Sequence, residues 1–158
     1  MDSGLARATK PARSKDGRSI VFRGNRAMFG GSGPRWALVP QDVWMMQSDC
    51  EQRQVGCGAS LQLLVPGVFD LTGMAWSPDD RWLAFDGAMP GGERGIWLRE
   101  MSTGRLTQAL RGDYVLPTWS PDGKRMVTIG PLAGRSQQDL FRDGNALYIL
   151  DVSEVVDK

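Results

Sequence analysis

Apolar residues in this chain occur in short runs, separated by polar turns rich in Gly, Pro and Asp. Runs of this length with such boundaries predict β-strands, and no window shows the 3.6-residue apolar period of an amphipathic helix. Several runs are apolar at consecutive positions, as at 43–46, 82–85 and 147–150. A sheet with one face in water would alternate more regularly. The pattern therefore predicts an all-β protein whose sheets are covered on both faces.

A tetrapeptide precedes two of the predicted strands. Trp-Ser-Pro-Asp runs from Trp76 to Asp79 and again from Trp119 to Asp122, 43 residues later in the chain. A weaker copy, Arg-Ser-Lys-Asp at 13–16, lies 63 residues before the first. A period near 43 residues is typical of β-propeller blades, and the longer interval indicates an insertion of about 20 residues in the first repeat.

The repeated tetrapeptide predicts a tight turn between two strands. Proline fixes φ at the first turn position, Asp accepts a hydrogen bond from the backbone two residues on, and Gly supplies a positive φ. Gly123 follows the second copy, whereas Asp80 takes that position in the first. Because Arg13 and Lys15 replace Trp and Pro in the weak copy, we expect that repeat to lie at an edge.

The strands group into three β-propeller blades of four antiparallel strands each, within one domain spanning residues 1–158. The blades are expected over about 11–66, 73–111 and 116–153. After the third strand of the last blade only residues 153–158 remain, a short and acidic segment. We therefore expect this blade to present an open strand edge, which invites pairing with another chain.

The composition, 41% hydrophobic and 23% charged, is that of a soluble globular protein. A net charge of +1 gives no general attraction to nucleic acid or anionic membranes. Residues 1–26 carry seven Lys and Arg against two Asp, a net of +5, and the remainder carries −4. We interpret the basic segment as a solvated surface, with an acidic partner as the alternative.

No apolar run reaches the length of a transmembrane helix, and residues 1–10 do not resemble a signal peptide.

The two cysteines, Cys50 and Cys57, lie seven residues apart in one polar segment that also contains glycine. Two cysteines found only together favour a disulfide and an oxidising compartment, with two free thiols as the alternative. A metal site is not expected, because the sequence has no histidine and no further cysteine.

Three segments resemble the Pro-Asp repeat of the TolB-like β-propellers: Trp-Ser-Pro-Asp-Gly-Lys at 119–124, Leu-Tyr-Ile-Leu-Asp at 147–151 and Thr-Gly-Arg-Leu-Thr at 103–107. The resemblance covers residues 73–152 and, more weakly, 11–46. It implies four-stranded blades, which in that family usually form a ring of six. Three blades alone do not close such a ring, so they imply a half-ring that pairs, a piece of a longer protein, or an open array.

The resemblance implies a structural role for the repeat and not a catalytic one. The family includes periplasmic scaffolds that act through protein–protein contact, substrate-gating domains of serine peptidases, and some sugar-active enzymes. The sequence itself lacks histidine and any Gly-x-Ser-x-Gly segment, so it cannot supply a Ser-His-Asp triad. The glycine-rich segment at 30–33 is not followed by Gly-Lys-Ser/Thr and is not a phosphate loop. We expect no enzyme activity and no cofactor.

Five of the six tryptophans fall into two groups. Four recur at equivalent repeat positions, which favours a role in blade packing: Trp44, Trp76, Trp97 and Trp119. Trp36 lies outside the repeat, next to Arg35 in the inserted segment. A large aromatic residue beside Arg is a common anchor for a partner, so Arg35 and Trp36 are the candidate binding residues.

These observations favour a non-catalytic binding or scaffolding module that engages a protein or small ligand through loops or the axial mouth. The alternative is an accessory propeller part of a hydrolase whose catalytic machinery lies on another domain or chain. A homodimer is a further hypothesis, in which residues 4–9 of one copy complete the third blade of the other. The disulfide and the resemblance indicate a periplasmic or extracellular location.

Overall fold

The computed structural model describes residues 7–25, 40–50, 57–132 and 145–156. The strands form three antiparallel sheets, which confirms the all-β prediction. The chain divides into two compact units, Met1–Leu71 and Thr72–Lys158, with one sheet in the first and two in the second. Within the described ranges no helix is long and apolar enough to cross a membrane. A single domain over residues 1–158 stays a prediction.

Blade one is a four-stranded sheet in consecutive order. Its strands are β1 (Arg7–Arg13), β2 (Ser19–Asn25), β3 (Gln41–Gln47) and β4 (Gln62–Val68). A short 3-10 helix, Cys57–Ser60, precedes β4. The structure differs from the prediction at the start of the blade, because β1 begins at Arg7, whereas the blade was expected to start near residue 11. Residues 7–9 were expected to precede the first inner strand, and that expectation is wrong: Arg7 pairs with Asn25 and Thr9 with Arg23.

The reason for the longer first strand is a β-bulge at an Xaa-Pro step. The register shifts between Thr9 and Ala12, and Lys10, before Pro11, has a φ of 55°. Proline cannot donate to a ladder, and within sheets it is confined to edge strands, first positions and bulges. The bulge accommodates the proline and lets pairing resume on its far side. The third blade has the same feature, a register shift near an Xaa-Pro step, where Leu116 before Pro117 has a φ of 56°.

Blade two is a second four-stranded sheet, also in consecutive order. Its strands are β5 (Met74–Trp76), β6 (Trp82–Ala88), β7 (Arg94–Glu100) and β8 (Leu106–Arg111). All but the last residue of β6 are buried, which agrees with the prediction of strands covered on both faces.

Blade three has three strands in the described residues, in the order β11-β10-β9. They are β9 (Val115–Trp119), β10 (Arg125–Pro131) and β11 (Asn145–Asp151), and a helical turn α1 (Ser153–Val156) follows. The Asp151 side chain begins this turn by accepting hydrogen bonds from the amide and hydroxyl of Ser153. The chain after β11 therefore forms a turn of helix, and no fourth strand pairs with β11 among the described residues.

The three blades share one pattern of cross-strand pairing, which defines equivalent positions in each blade. The second strand of each blade faces the third at an equivalent pair: Phe22 with Trp44, Phe85 with Trp97, and Thr128 with Tyr148. Any residue of one blade can therefore be matched to its counterpart in another.

The apolar core of the second unit lies between blades two and three. Buried side chains of blade two pack with buried side chains of blade three and of the turn after it: Trp82, Ala84, Ile96, Leu98, Met126, Val152 and Val156. Leu150 and Trp119 pack against this cluster from the side. Full burial of one such aliphatic side chain contributes about 1.5–3 kcal/mol, so this cluster is the main stabilising contact of the unit.

Candidate interaction surface

The Ser and Asp of the repeated tetrapeptide form the same hydrogen-bonded turn in each blade. In blade two the Asp79 carboxylate accepts from the Ser77 hydroxyl at 2.6 Å and from the Arg81 amide at 3.1 Å. The Ser77 hydroxyl oxygen in turn accepts from the Trp82 amide at 2.9 Å. This arrangement ties the turn to the start of the next strand.

Blades one and three repeat these contacts. Asp122 accepts from Ser120 and from the Lys124 amide, and Asp16 accepts from Ser14 and from the Arg18 amide. The weak copy thus keeps the full network although Lys15 replaces proline. Ser and Asp determine the turn, and both carboxylate and hydroxyl are used structurally.

The same contacts lower the pKa of these carboxyl groups. For Asp122 the Ser120 hydroxyl is the main cause and the Lys124 amide adds to it. For Asp79 burial is the largest single influence and raises the pKa, but hydrogen bonds from Ser77 and the Arg81 amide together outweigh it and lower the pKa. The charged form is therefore favoured in both turns, as a structural acceptor requires.

The repeat tryptophans contribute to packing. Trp44 and Trp97 are buried, and the Trp97 indole donates to the Gly87 carbonyl at 3.3 Å. Trp119 was expected to be largely buried, but it is half-buried, because it packs at the side of the core cluster. Its indole nitrogen donates to the Ala75 carbonyl on β5 at 3.1 Å, which links blades two and three.

Asp86 is a buried carboxylate whose role the sequence did not predict. One carboxylate oxygen accepts from the amides of Thr72 and Gly73, at 2.6 and 3.1 Å. The other accepts from the Thr72 hydroxyl and from the Leu116 amide, both at 2.6 Å. Asp86 thus joins the entry of blade two to the bulge that begins blade three.

A sequence signal for Asp86 exists. It is the one charged residue inside the apolar run of β6, and a carboxylate in such a run must find donors. Burial raises the pKa of Asp86, and the hydrogen bonds from Thr72, Leu116 and Gly73 oppose that rise. Its hydrogen-bond donors belong to the entry of blade two and to blade three, so we assign it a structural role.

Two other predicted sites have different outcomes. Cys50 and Cys57 form the expected disulfide, with their Cα atoms 4.9 Å apart. Arg35 and Trp36, the candidate partner-binding residues, lie outside the described residues.

Two cavities in the second unit contain charged side chains that are already engaged. One, of about 100 Å³, lies between the turns of blades two and three and is lined by Asp79 and Asp122. The other is a shallow groove of about 360 Å³ along β7 and β8. There Arg111 pairs with Glu93 at 3.1 Å and Arg94 with Asp113 at 3.3 Å. The carboxylates and guanidinium groups named here therefore already have protein partners.

The outer face of blade three, on the side away from blade two, is apolar and exposed. We define it by three residues of β10 and β11 whose exposed fractions are 39%, 74% and 73%: Val127, Leu147 and Ile149. Their counterparts in blade two are fully buried at 0%: Ala84, Ile96 and Leu98. In blade two the side chains of blade three cover these positions. The outer face therefore has the composition of a blade contact, and no blade covers it within the described residues.

The outer edge of β11 lacks the features that protect the last strands of the other two blades, β4 and β8. β4 contains Pro66 and has two register shifts against β3, and β8 has one against β7. β11 instead pairs with β10 over seven consecutive residues without a shift, and its single charged residue is the terminal Asp151. Bulges, prolines and charges are the usual protection against edge pairing. β11 is thus suited to association along its edge.

The architecture is shared with solved propellers. The TolB structure from Acinetobacter baumannii superposes with a TM-score of 0.64 at 19% identity, over 95% of this chain and 31% of that one. The three sheets share the fold of the blades in the TolB propeller. The β-propeller domain of the Trilobed protease from Pyrococcus furiosus, reported to have an open velcro topology, gives 0.57 at 16% identity, over 91% of this chain and 40% of that one.

Peptidases also carry these TolB-like blades. An acylaminoacyl peptidase from Pyrococcus horikoshii gives a TM-score of 0.61 at 13% identity, over 93% of this chain and 24% of that one. The present chain thus spans well under half the length of each of these proteins. No protein-family model matches the sequence. At these identities the likeness establishes the fold and leaves the activity open.

Proposed function

We propose that the protein is a non-catalytic, protein-binding module of the TolB-like propeller type, and that it binds through the outer face of blade three. The observation that carries the proposal is the exposure of Leu147 and Ile149, whose counterparts Ile96 and Leu98 are fully buried. Exposed aliphatic residues grouped on one sheet face mark a contact surface when they are more than scattered single residues. An oxidising compartment, periplasmic or extracellular, is part of the proposal and is supported by the disulfide.

The test is site-specific photocrosslinking. A photoreactive amino acid at position 149 should yield adducts with protein in an extract of the source cells. The matched control is position 106, since Leu106 is also an exposed aliphatic residue but lies on β8, outside the outer face. Adducts from position 149 and none from position 106 support the proposal. No adducts at 149, or equal yields at both positions, contradict it.

A second candidate is an accessory propeller part of a hydrolase. The likeness to the acylaminoacyl peptidase, of which this chain covers 24%, favours it. Because the sequence has no histidine, the catalytic base of such an enzyme would come from another domain or chain. In the crosslinking experiment this candidate predicts one main adduct at position 149 that contains a hydrolase domain.

A further inference from the structure

The occupant of the outer face can be inferred from what covers the same positions within this chain. In the core of the second unit, blade three contributes Met126 and Leu150, which face each other across β10 and β11. This cross-strand pair packs against the cluster that contains Ile96 and Leu98 of blade two. A matching cover for the outer face must offer two apolar residues in the same register.

Blade one offers that pair. Ile20 follows Asp16 by four residues, as Met126 follows Asp122, and Met46 follows Trp44 by two, as Leu150 follows Tyr148. Ile20 and Met46 face each other across β2 and β3, and both remain partly exposed. We call this pair the blade-one contact.

Charge favours the same match. The turn beside the blade-one contact carries Arg13, Lys15 and Arg18 against Asp16, and residues 1–26 have a net charge of +5. Residues 115–158, which contain blade three, carry six Asp and Glu against five Lys and Arg, a net charge of −1. Opposite net charges steer association and favour contact between unlike faces over contact between two copies of the same face.

We propose that the outer face of blade three docks onto the blade-one contact of a second copy of this chain, head to tail. The inference rests on the proposed function, because it names the partner of the same surface. It also revises the swapped dimer, since residues 7–9 already belong to β1 and do not need to leave their blade. Such a contact is heterologous, as each copy uses two different surfaces.

Two surface variants test the proposal by light scattering at micromolar concentration. Wild type should have a mass above the 17.4 kDa of one chain. The double variant Leu147→Glu/Ile149→Glu removes the outer face, and Met46→Glu removes the blade-one contact. Each variant alone should be a monomer, because each spoils every interface that it could form. Leu106→Glu is the control and should associate as wild type does.

Mixing the variants separates a head-to-tail contact from a symmetric one. An equal mixture contains one intact outer face and one intact blade-one contact, so a complex of two chains should reappear. Circular dichroism should show that both variants are folded. A monomeric wild type, or a mixture that stays monomeric, overturns the proposal.

The crosslinking readout keeps the two proposals apart. A photoreactive residue at 149 in purified protein should give an adduct of twice the chain mass that maps to the region of Met46. Adducts with other proteins only, together with a monomeric wild type, would overturn the second-copy proposal and leave the proposed function standing.

Discussion

At the residue scale, the protein uses the polar atoms of Ser and Asp side chains to connect strands and blades. The Ser and Asp side chains of the tetrapeptide accept hydrogen bonds from neighbouring backbone amides, and the Asp86 carboxylate accepts hydrogen bonds from donors of two blades. A carboxylate that accepts several backbone hydrogen bonds fixes the positions of the segments that donate them. Polar identity at these positions therefore matters more to the fold than side-chain volume.

Asp86→Ala should strongly destabilise the second unit. The change leaves the amides of Thr72, Gly73 and Leu116 without their acceptor, at a cost of about 1–3 kcal/mol for each donor that remains buried. We expect the free energy of unfolding to fall by about 3 kcal/mol or more in urea denaturation. The matched control is Asp113→Ala, which removes a partly exposed ion pair with Arg94 and should cost about 1 kcal/mol or less. Equal effects of the two changes would contradict the role given to Asp86.

The residues that sequence reasoning interpreted correctly are those with local partners. The tetrapeptide turn depends on contacts within about five residues, so it can be predicted from the presence of Ser77 and Asp79 in the sequence. Asp86 accepts from Leu116, 30 residues away, and no local pattern encodes that contact. Its presence inside an apolar strand signals that donors exist, but it does not say which they are.

At the element scale, strand identity was predictable, whereas strand boundaries near proline were not. The apolar runs at 43–46, 82–85 and 147–150 lie within β3, β6 and β11, respectively. β1 extends past Pro11 because a bulge at Lys10 lets the ladder shift by one step, a compensation that depends on the partner strand. The helical turn α1 was missed for a related reason, since four residues are too few to show a helical period.

The disulfide should stabilise the end of β3 and little else. Cys50 follows β3 and Cys57 begins the 3-10 helix before β4, so the bond closes a short loop between neighbouring strands. A short loop limits the loss of unfolded-chain entropy, and we expect Cys50→Ser/Cys57→Ser to cost at most about 3 kcal/mol. Thermal melting with and without reductant measures this. Thiol titration of unreduced protein should find no reactive thiol, and two per chain would refute the bond in solution.

At the scale of the whole molecule, the repeat explains the packing of the second unit and is the basis of the proposed association. Blades two and three bury each other's apolar faces, and the outer face repeats the same surface with no cover among the described residues. The number of blades and the open edge were predictable, since both follow from counting repeats. The specific exposed residues were not, because exposure depends on which neighbour is present.

The dependence of stability on pH should show two opposite contributions that meet near pH 3.8, the usual pKa of an aspartate carboxyl group. The pKa of Asp122 is lowered by hydrogen bonds from Ser120 and the Lys124 amide, so its stabilisation is present above pH 3.8 and is lost as the pH falls through its folded value. The pKa of Asp86 is raised by burial, so its charged form is less favoured in the folded protein than in the unfolded chain. Its contribution is greatest below pH 3.8 and declines as the pH rises through its folded value.

Denaturant unfolding of Asp122→Asn and Asp86→Asn across the acidic range separates the two contributions. The stability difference between wild type and Asp122→Asn should shrink below pH 3.8 and stay constant above it. The difference between wild type and Asp86→Asn should instead shift against wild type as the pH rises above 3.8, and then level off. If the four hydrogen bonds to Asp86 lowered its pKa by more than burial raises it, the stability differences of both variants from wild type would change in the same direction, and they would do so below pH 3.8. That outcome would reverse the sign assigned to Asp86 while leaving its structural role intact.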